Sequence, residues 1–268
     1  MERLKVSFIE FLNALPLGWG FLHGSCRDVF KLMFDVPSEC SRHLAEGEAD
    51  AGLIPVIEYQ RIPGLKVIPG ISISTRQEAK SVLFVSRKPI DEVADVAVDI
   101  SSRTSSALLR ILMSDFYRRD EVEYRASAPQ VDRMLRQCDA ALVIGNPALK
   151  LVSDGIPYVY DLAAEWYRFT GLPFVFAFWA VREEVESRSE LEIFGRSKQE
   201  GLDHFKEIAR LYAPRLQIPE SEIISYLSRN LDYSLDEKNR RGLDLFFELA
   251  FRHRLIRDCK PLAFTASD

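Results

Sequence analysis

Long hydrophobic runs, paired cysteines and clustered histidines are all missing from this sequence. The longest apolar run, residues 172–181, is too short to span a bilayer, and the first residues lack the apolar core of a signal peptide. The four cysteines and four histidines are scattered, with no Cys-x-x-Cys pair and no zinc-ligand spacing. These absences predict a cytoplasmic protein with reduced cysteines, no structural metal and no membrane partner.

An excess of positive charge is also missing. The 268 residues carry a formal net charge of −5, which argues against nucleic acid and anionic membranes as partners. Hydrophobic residues make up 47% and charged residues 28%, as in a soluble globular protein. A chain of this length can form one large domain or two lobes of ordinary size.

The glycine-rich and nucleophile motifs of several enzyme classes do not occur. There is no Gly-x-Gly-x-x-Gly, no Gly-x-x-x-x-Gly-Lys-Ser/Thr and no Gly-x-Ser-x-Gly. The sequence therefore gives no support for a dinucleotide site, a nucleoside triphosphate site or a serine hydrolase elbow.

The most informative stretch is a predicted strand-to-helix junction at residues 99–113. Residues 93–100 read as a buried strand, and apolar residues from position 108 to 116 recur at helical spacing. The turn between them, residues 101–106, has five hydroxyl side chains and one arginine. A helix start presents unpaired N–H groups and a partial positive charge, so this turn can bind an anion. The hydroxyls could instead only cap the helix, and Asp99 would weaken an anion site if it pointed inward.

Two further junctions of the same kind are predicted. Asn13 lies between a strand at residues 4–10 and a helix that begins near Pro16, where its amide could cap the helix or hold a ligand. Gly145 and Asn146 form the turn after a strand at residues 139–144. In α/β sheets ligands collect where strand ends and helix starts converge, so the three junctions predict one cleft.

The remaining pattern predicts an α/β fold with a largely parallel sheet and a helical C-terminal segment. Residues 51–57 read as a buried strand with Glu58 at its end, and Ser81 opens a strand that runs to residue 86. Residues 165–171 read as an aromatic-rich loop. Taken alone, these residues indicate a protein that binds a small anion in a cleft. They do not choose between a binding protein and an enzyme, and they leave the oligomeric state open.

A family resemblance extends in order over most of the chain. It is carried by the sequences Phe-Leu-Asn-Ala-Leu-Pro-Leu at 11–17, Leu-Ala-Glu-Gly-Glu-Ala-Asp-Ala-Gly-Leu-Ile-Pro-Val-Ile-Glu-Tyr at 44–59, Ser-Arg-Thr-Ser at 102–105 and Thr-Gly-Leu-Pro-Phe-Val-Phe-Ala-Phe-Trp-Ala-Val at 170–181. With these motifs the chain resembles the chorismate dehydratase family of menaquinone biosynthesis, which acts in the futalosine route. Two positions depart from the family pattern as we know it: Phe11 replaces a tyrosine, and Asn146 replaces an aspartate.

The resemblance implies a two-lobe fold like that of type II periplasmic binding proteins, with the ligand between the lobes. Lobe 1 would comprise residues 1–85 and 175–268, and lobe 2 residues 86–174. The implied activity is that of a carbon–oxygen lyase that converts chorismate, a dicarboxylate, to 3-[(1-carboxyvinyl)oxy]benzoate and water without a cofactor. The alternatives are a non-catalytic small-anion binding protein of the same fold and a sister naphthoate-forming enzyme of the same pathway.

The resemblance also implies roles for individual residues. Asn13 and Ser81 would contact the ring or the leaving hydroxyl group. Glu58 is a candidate base, although the enolpyruvyl carboxylate of the substrate lies close enough to the proton to take it. The expected substrate-binding residues are Ser102, Arg103, Thr104, Ser105, Gly145 and Asn146.

Overall fold

The computed structural model describes residues 3–151 and 155–266. In chain order the strands are β1 Lys5–Ile9, β2 Lys31–Asp35, β3 Ala51–Pro55, β4 Leu65–Thr75, β5 Val82–Ser86, β6 Asp95–Asp99, β7 Glu123–Ser127, β8 Ala140–Ile144, β9 Tyr158–Asp161 and β10 Phe174–Arg182. The α-helices are α1 Leu15–Leu22, α2 Pro37–Glu46, α3 Val56–Arg61, α4 Thr104–Ile111, α5 Val131–Gln137, α6 Asn146–Leu149, α7 Leu162–Thr170, α8 Glu192–Asp203, α9 Phe205–Leu216, α10 Glu220–Ser225 and α11 Glu237–Arg252. Two π-helical turns, Leu112–Phe116 and Tyr226–Asn230, extend α4 and α10.

The strands form two five-stranded sheets with the same topology. Their orders are β2-β1-β3-β10-β4 and β7-β6-β8-β5-β9. In each sheet the first three strands are parallel and the fourth runs antiparallel to its neighbours. That fourth strand arrives from the other sheet: β5 follows β4, and β10 follows β9 and α7. Each sheet is therefore mixed rather than largely parallel, and the two sheets with their helices form two lobes joined by crossing segments.

The strand β5 lies on the other side of the lobe division from where the sequence places it. It pairs with β8 and β9 in the second sheet, although residues 1–85 are expected in lobe 1. Hydrogen-bond pairing decides this, because a short apolar strand has the same appearance in either sheet. We place the division in the crossing segments 76–81 and 171–173.

Two local predictions are wrong. The expected loop at residues 165–171 belongs to α7, because Asp161 caps the helix through the N–H groups of Ala163 and Ala164, and Gly171 ends it with φ +68°. The strand expected to run to residue 57 ends at Pro55, where α3 begins. Glu58 therefore lies in the first turn of a short helix.

Aromatic side chains fill the core and connect the lobes. Trp179 of β10 is fully buried and stacks on Phe8 of β1, with ring centroids 6.0 Å apart. Trp166 of α7 makes edge contacts with Phe174 and with Phe246 of α11. Burial of such large rings stabilises both lobes and holds α11 against the crossing strand β10.

Candidate functional site

A cavity lies between the two sheets, where the carboxyl ends of their parallel strands meet. Its polar lining consists of Asn13, Ser81, Ser101, Ser102, Arg103, Thr104 and Ser105, together with the backbone at Gly145. Its apolar lining includes Ile9, Phe11, Ile73, Val82, Ile144, Phe176 and Leu231. Both lobes contribute to its walls, and clefts between lobes are a common place for small-molecule sites.

All three predicted junctions meet in this cavity. The turn before α1 contributes Asn13, the turn before α4 contributes residues 101–105, and the turn after β8 contributes Gly145. Pro37, the first residue of α2, also lines it. Residues at the starts of three helices of eight or more residues, α1, α2 and α4, line this space, and the positive ends of the helix dipoles favour a negatively charged ligand.

The hydroxyl groups at the start of α4 do not serve as helix caps. Arg103 is the capping residue, and no side chain accepts a capping hydrogen bond there. Ser102 is 5% exposed, and its Oγ has no hydrogen-bond partner in the part of the chain that the structure describes. Ser105 is also buried. A buried hydroxyl without a hydrogen-bond partner lowers the stability of the fold unless a ligand or water bonds to it. The Ser102 hydroxyl is therefore available to a ligand.

Asp99 does not oppose an anion in the cavity. Its Oδ1 accepts hydrogen bonds from the backbone N–H of Ser101 at 2.9 Å and from the hydroxyl of Ser101 at 2.8 Å. Asp99 does not line the cavity. It lines a separate groove, called the outer groove here, whose lining also includes Ser106, Arg110 and Tyr124. Of the described residues that line the cavity, Arg103 alone carries a charge, and its side chain is exposed.

Asn13 and Ser81 both line the cavity but belong to different segments of the chain. Asn13 follows β1 and is not a cap, since Ala14 occupies the capping position of α1 without a side-chain bond. Ser81 lies at the end of the crossing segment 76–81 and is 2% exposed. Its carbonyl oxygen accepts a 2.8 Å hydrogen bond from the N–H of Gly145, which ties the crossing segment to β8.

Three predicted residues act between the lobes. The Oγ1 of Thr104 accepts a 3.4 Å hydrogen bond from the N–H of Ile57 in α3. The Oδ1 of Asn146 accepts a 3.2 Å bond from the N–H of Leu12, and Asn146 does not line the cavity. Gly145, with φ +66°, lies under the ring of Phe11. The lobes are thus closed on each other at the rim of the cavity.

Glu58 lies outside the cavity. Its carboxylate forms an ion pair with Arg61 at 2.7 Å, one helical turn further along α3. Neither residue of the pair lines the cavity, and the helix that begins at Val56 replaces the extended strand end that the sequence predicts.

Two buried groups that support Ser81 have no role in the sequence prediction. Tyr226 donates a 2.8 Å hydrogen bond to the Ser81 Oγ. Asp161 accepts hydrogen bonds from the backbone N–H groups of Ala79 and Lys80, and burial raises the pKa of its carboxyl group. The available signal for Tyr226 was its position three residues after Ile223 on a buried helical face, where a phenol needs a partner for its hydroxyl.

The two lobes and the cleft between them define a fold like that of periplasmic binding proteins. The structure matches a protein from Archaeoglobus fulgidus with a TM-score of 0.76 at 17% identity, covering 95% of this chain and 98% of that one. It also matches the periplasmic aliphatic sulphonate-binding protein of Escherichia coli with a TM-score of 0.67 at 14% identity, covering 100% of this chain and 95% of that one. The predicted periplasmic-binding-protein-like fold is confirmed.

Within this class, the chain belongs to the menaquinone biosynthesis family, whose model matches residues 4–252. It is 29% identical over 266 residues to the chorismate dehydratase of Thermus thermophilus, covering 92% of this chain and 95% of that relative. The chorismate dehydratase of Campylobacter jejuni is 26% identical over 260 residues, covering 95% of this chain and 96% of the relative. The family expected from the sequence is confirmed.

Within residues 3–151 and 155–266, no helix has the length and apolar character that a membrane span requires.

Proposed function

We propose that this protein is a chorismate dehydratase, a carbon–oxygen lyase that converts chorismate to 3-[(1-carboxyvinyl)oxy]benzoate and water. Membership of the menaquinone biosynthesis family and the two chorismate dehydratase relatives support this assignment. The observation that carries it is the cavity at the helix starts, which has few charges of its own and where the buried Ser102 hydroxyl has no hydrogen-bond partner among the described residues. Such a cavity suits a small dianion that brings its own negative charge.

The start of α4 is the proposed site for the ring carboxylate of chorismate. The proton that is lost comes from the ring carbon bearing the enolpyruvyl ether. When this carbon loses its proton, it becomes conjugated through the ring diene to the ring carboxylate. Negative charge therefore develops on the carboxylate as the C–H bond breaks. The hydroxyl groups of Ser102, Thr104 and Ser105, with the backbone N–H groups of Thr104 and Ser105, would stabilise this charge. Arg103 at the rim adds a positive charge on the same side.

The proton acceptor in this proposal is the substrate itself. The described lining of the cavity contains no aspartate, glutamate, histidine, lysine or tyrosine. The enolpyruvyl carboxylate takes the proton, and the C–H electron pair enters the ring as an enolate-like intermediate. Loss of hydroxide from the neighbouring carbon then makes the ring aromatic, and the hydroxide recovers the proton to leave as water. The protein's main contributions are orientation and charge stabilisation.

Asn13 and Ser81 are assigned to the reacting side of the ring. Both contribute polar atoms to the cavity away from the α4 start, within a wall that is otherwise apolar. A hydrogen bond from either residue to the leaving hydroxyl would favour departure of hydroxide. Gly145 and Asn146 are assigned to closing the cavity, through the contact with Phe11 and the bond to Leu12.

The direct test is to incubate the purified protein with chorismate and no added cofactor, and to identify the product by mass. Loss of one water, with the ultraviolet spectrum of a substituted benzoate, is the expected result. Chorismate that binds but is recovered unchanged would reject the lyase and favour the non-catalytic binding protein.

Glu58→Gln separates the substrate-assisted mechanism from a mechanism in which Glu58 is the base. Because Glu58 is paired with Arg61 outside the cavity, kcat should stay within about twofold of the wild type. A general base contributes on the order of a hundredfold or more, so a loss of that size would make Glu58 the base and contradict the substrate-assisted step. Circular dichroism of the variant checks that α3 is intact.

Chorismate should also compact the protein in solution. The bond between Leu12 and Asn146 and the bond between Ile57 and Thr104 connect the lobes across the cavity rim, and a ligand can enter only when the rim opens. We expect the radius of gyration from small-angle X-ray scattering to fall when chorismate or its product is added. Unchanged dimensions with binding confirmed would contradict a cleft that closes on its ligand.

A further inference from the structure

Ser81 is held in place by a tyrosine that lies outside the cavity lining. The phenol of Tyr226, in the π-helical turn after α10, donates a 2.8 Å hydrogen bond to the Ser81 Oγ. Both residues are buried, with 4% of Tyr226 and 2% of Ser81 exposed. Ser81 lines the cavity and Tyr226 does not, so the phenol reaches the ligand only through the serine.

The backbone around Ser81 is also held from several directions. Asp161 accepts hydrogen bonds from the N–H groups of Ala79 and Lys80, at 2.9 and 2.6 Å. Asn230, in the same π-helical turn as Tyr226, donates a 3.0 Å hydrogen bond to the Glu78 carboxylate. The crossing segment 76–81 is therefore fixed before any ligand binds. Such π-helical turns recur at functional sites, where they redirect individual side chains.

The donor and acceptor roles in the Tyr226–Ser81 pair follow from burial. Burial raises the pKa of the Tyr226 phenol, so the phenol keeps its proton near neutral pH. Its single hydrogen goes to the Ser81 Oγ, which acts as the acceptor. The hydrogen of the serine hydroxyl is then free to point into the cavity. A hydroxyl that accepts one hydrogen bond also becomes a stronger donor in the next one.

We propose that Tyr226 is a positioning residue for the dehydration, holding the Ser81 hydroxyl as a hydrogen-bond donor to the leaving hydroxyl group of the substrate. The proposal rests on the proposed function, since it assigns a direction to a hydrogen bond in that reaction. It also favours Ser81 as a donor over Ser81 as a base, because a hydroxyl that already accepts one hydrogen bond is a stronger donor and a weaker acceptor for the next.

Tyr233 provides a matched control within the same region. It is as deeply buried as Tyr226, at 4% exposure, but its hydroxyl has no hydrogen-bond partner among the described residues. Tyr226→Phe and Tyr233→Phe each remove one buried phenol oxygen and leave the ring in place. Only the first removes a bond to a cavity residue.

The experiment measures chorismate turnover and melting temperature for Tyr226→Phe, Tyr233→Phe, Ser81→Ala and the Tyr226→Phe/Ser81→Ala double variant. Tyr226→Phe should lower kcat about tenfold, the worth of a well-oriented hydrogen bond, with KM changed less than about twofold. Tyr233→Phe should match the wild type. In the Ser81→Ala background, Tyr226→Phe should have no further effect on kcat, since the phenol acts only through the serine.

Other results would overturn the proposal. Full activity in Tyr226→Phe, or equal losses in the two phenylalanine variants, would leave Tyr226 with only a packing role. An additive double variant would mean that Tyr226 acts by a route other than Ser81. Wild-type protein that does not convert chorismate would reject the proposed function instead. The melting temperatures of the wild type, Tyr226→Phe, Ser81→Ala and the double variant would then still show, by their non-additivity, whether the Tyr226–Ser81 bond forms.

Discussion

Replacing Ser105 with aspartate should abolish chorismate turnover while the protein stays folded. Ser105 is buried in the first turn of α4 and lines the cavity where we place the ring carboxylate. A fixed carboxylate there would replace a donor and repel the substrate's charge, at a cost of roughly 3 kcal/mol or more. That cost corresponds to a loss in kcat/KM of about a hundredfold or more.

The fold should tolerate this change because aspartate is favoured at a helix start. Its charge interacts with the helix dipole and can add a few tenths of a kcal/mol to the free energy of unfolding. Ser106→Asp is the matched control, since Ser106 lies in the same helical turn but lines the outer groove instead of the cavity. Turnover and melting temperature measured on both variants separate the two positions. If Ser105→Asp retained wild-type turnover, the carboxylate would have to bind elsewhere.

The second large effect is expected for Gly145→Ala. Gly145 has φ +66° and ψ −143°, a combination that residues with a Cβ adopt at a cost of about 1–3 kcal/mol. A Cβ at this position would also lie 3.1 Å from the ring of Phe11 on the other lobe. The variant should therefore be less stable and should close its cavity poorly, with a lower kcat/KM for chorismate.

Gly171→Ala distinguishes backbone strain from the contact across the cleft. Gly171 also has a positive φ, +68°, but nothing lies within 4 Å of the Cβ that it would gain. It should lose stability without a comparable loss of kcat/KM. Chemical denaturation and steady-state kinetics of the two variants provide the comparison. Equal losses of kcat/KM in both would mean that the Phe11–Gly145 contact has no part in closing the cavity.

The three junctions could be predicted from the sequence because their signals are local. Hydrophobic periodicity, hydroxyl-rich turns and prolines near helix starts identified where each strand gives way to a helix. The structure brings Asn13, Ser81, residues 101–105 and Gly145 to one cavity, as their shared position at strand ends suggests. The predicted position of Glu58 at the end of a strand was wrong, because β3 ends at Pro55, two residues before the predicted strand end.

Sheet membership and helix α7 show where local signals were insufficient. The sequence of an apolar strand such as β5 does not indicate which sheet the strand joins, because its pairing partners lie far away in the chain. The aromatic residues of segment 165–171 predict a loop. In the structure the segment belongs to a helix that the Asp161 carboxylate caps at its start and that ends at Gly171, which has the left-handed conformation.

The family, the α/β class and the residues at the strand ends can be predicted from the sequence alone, since these depend on motif order and on periodicity along the chain. Which polar groups remain free for a ligand depends instead on how distant segments pack together. Among the described residues the Ser102 hydroxyl has no hydrogen-bond partner, and Asn146 bonds to a backbone N–H 134 residues away. Tyr226 reaches Ser81 across 145 residues. Hydrogen-bond partners at such separations arise from the packing of two lobes, and no local pattern in the chain encodes them.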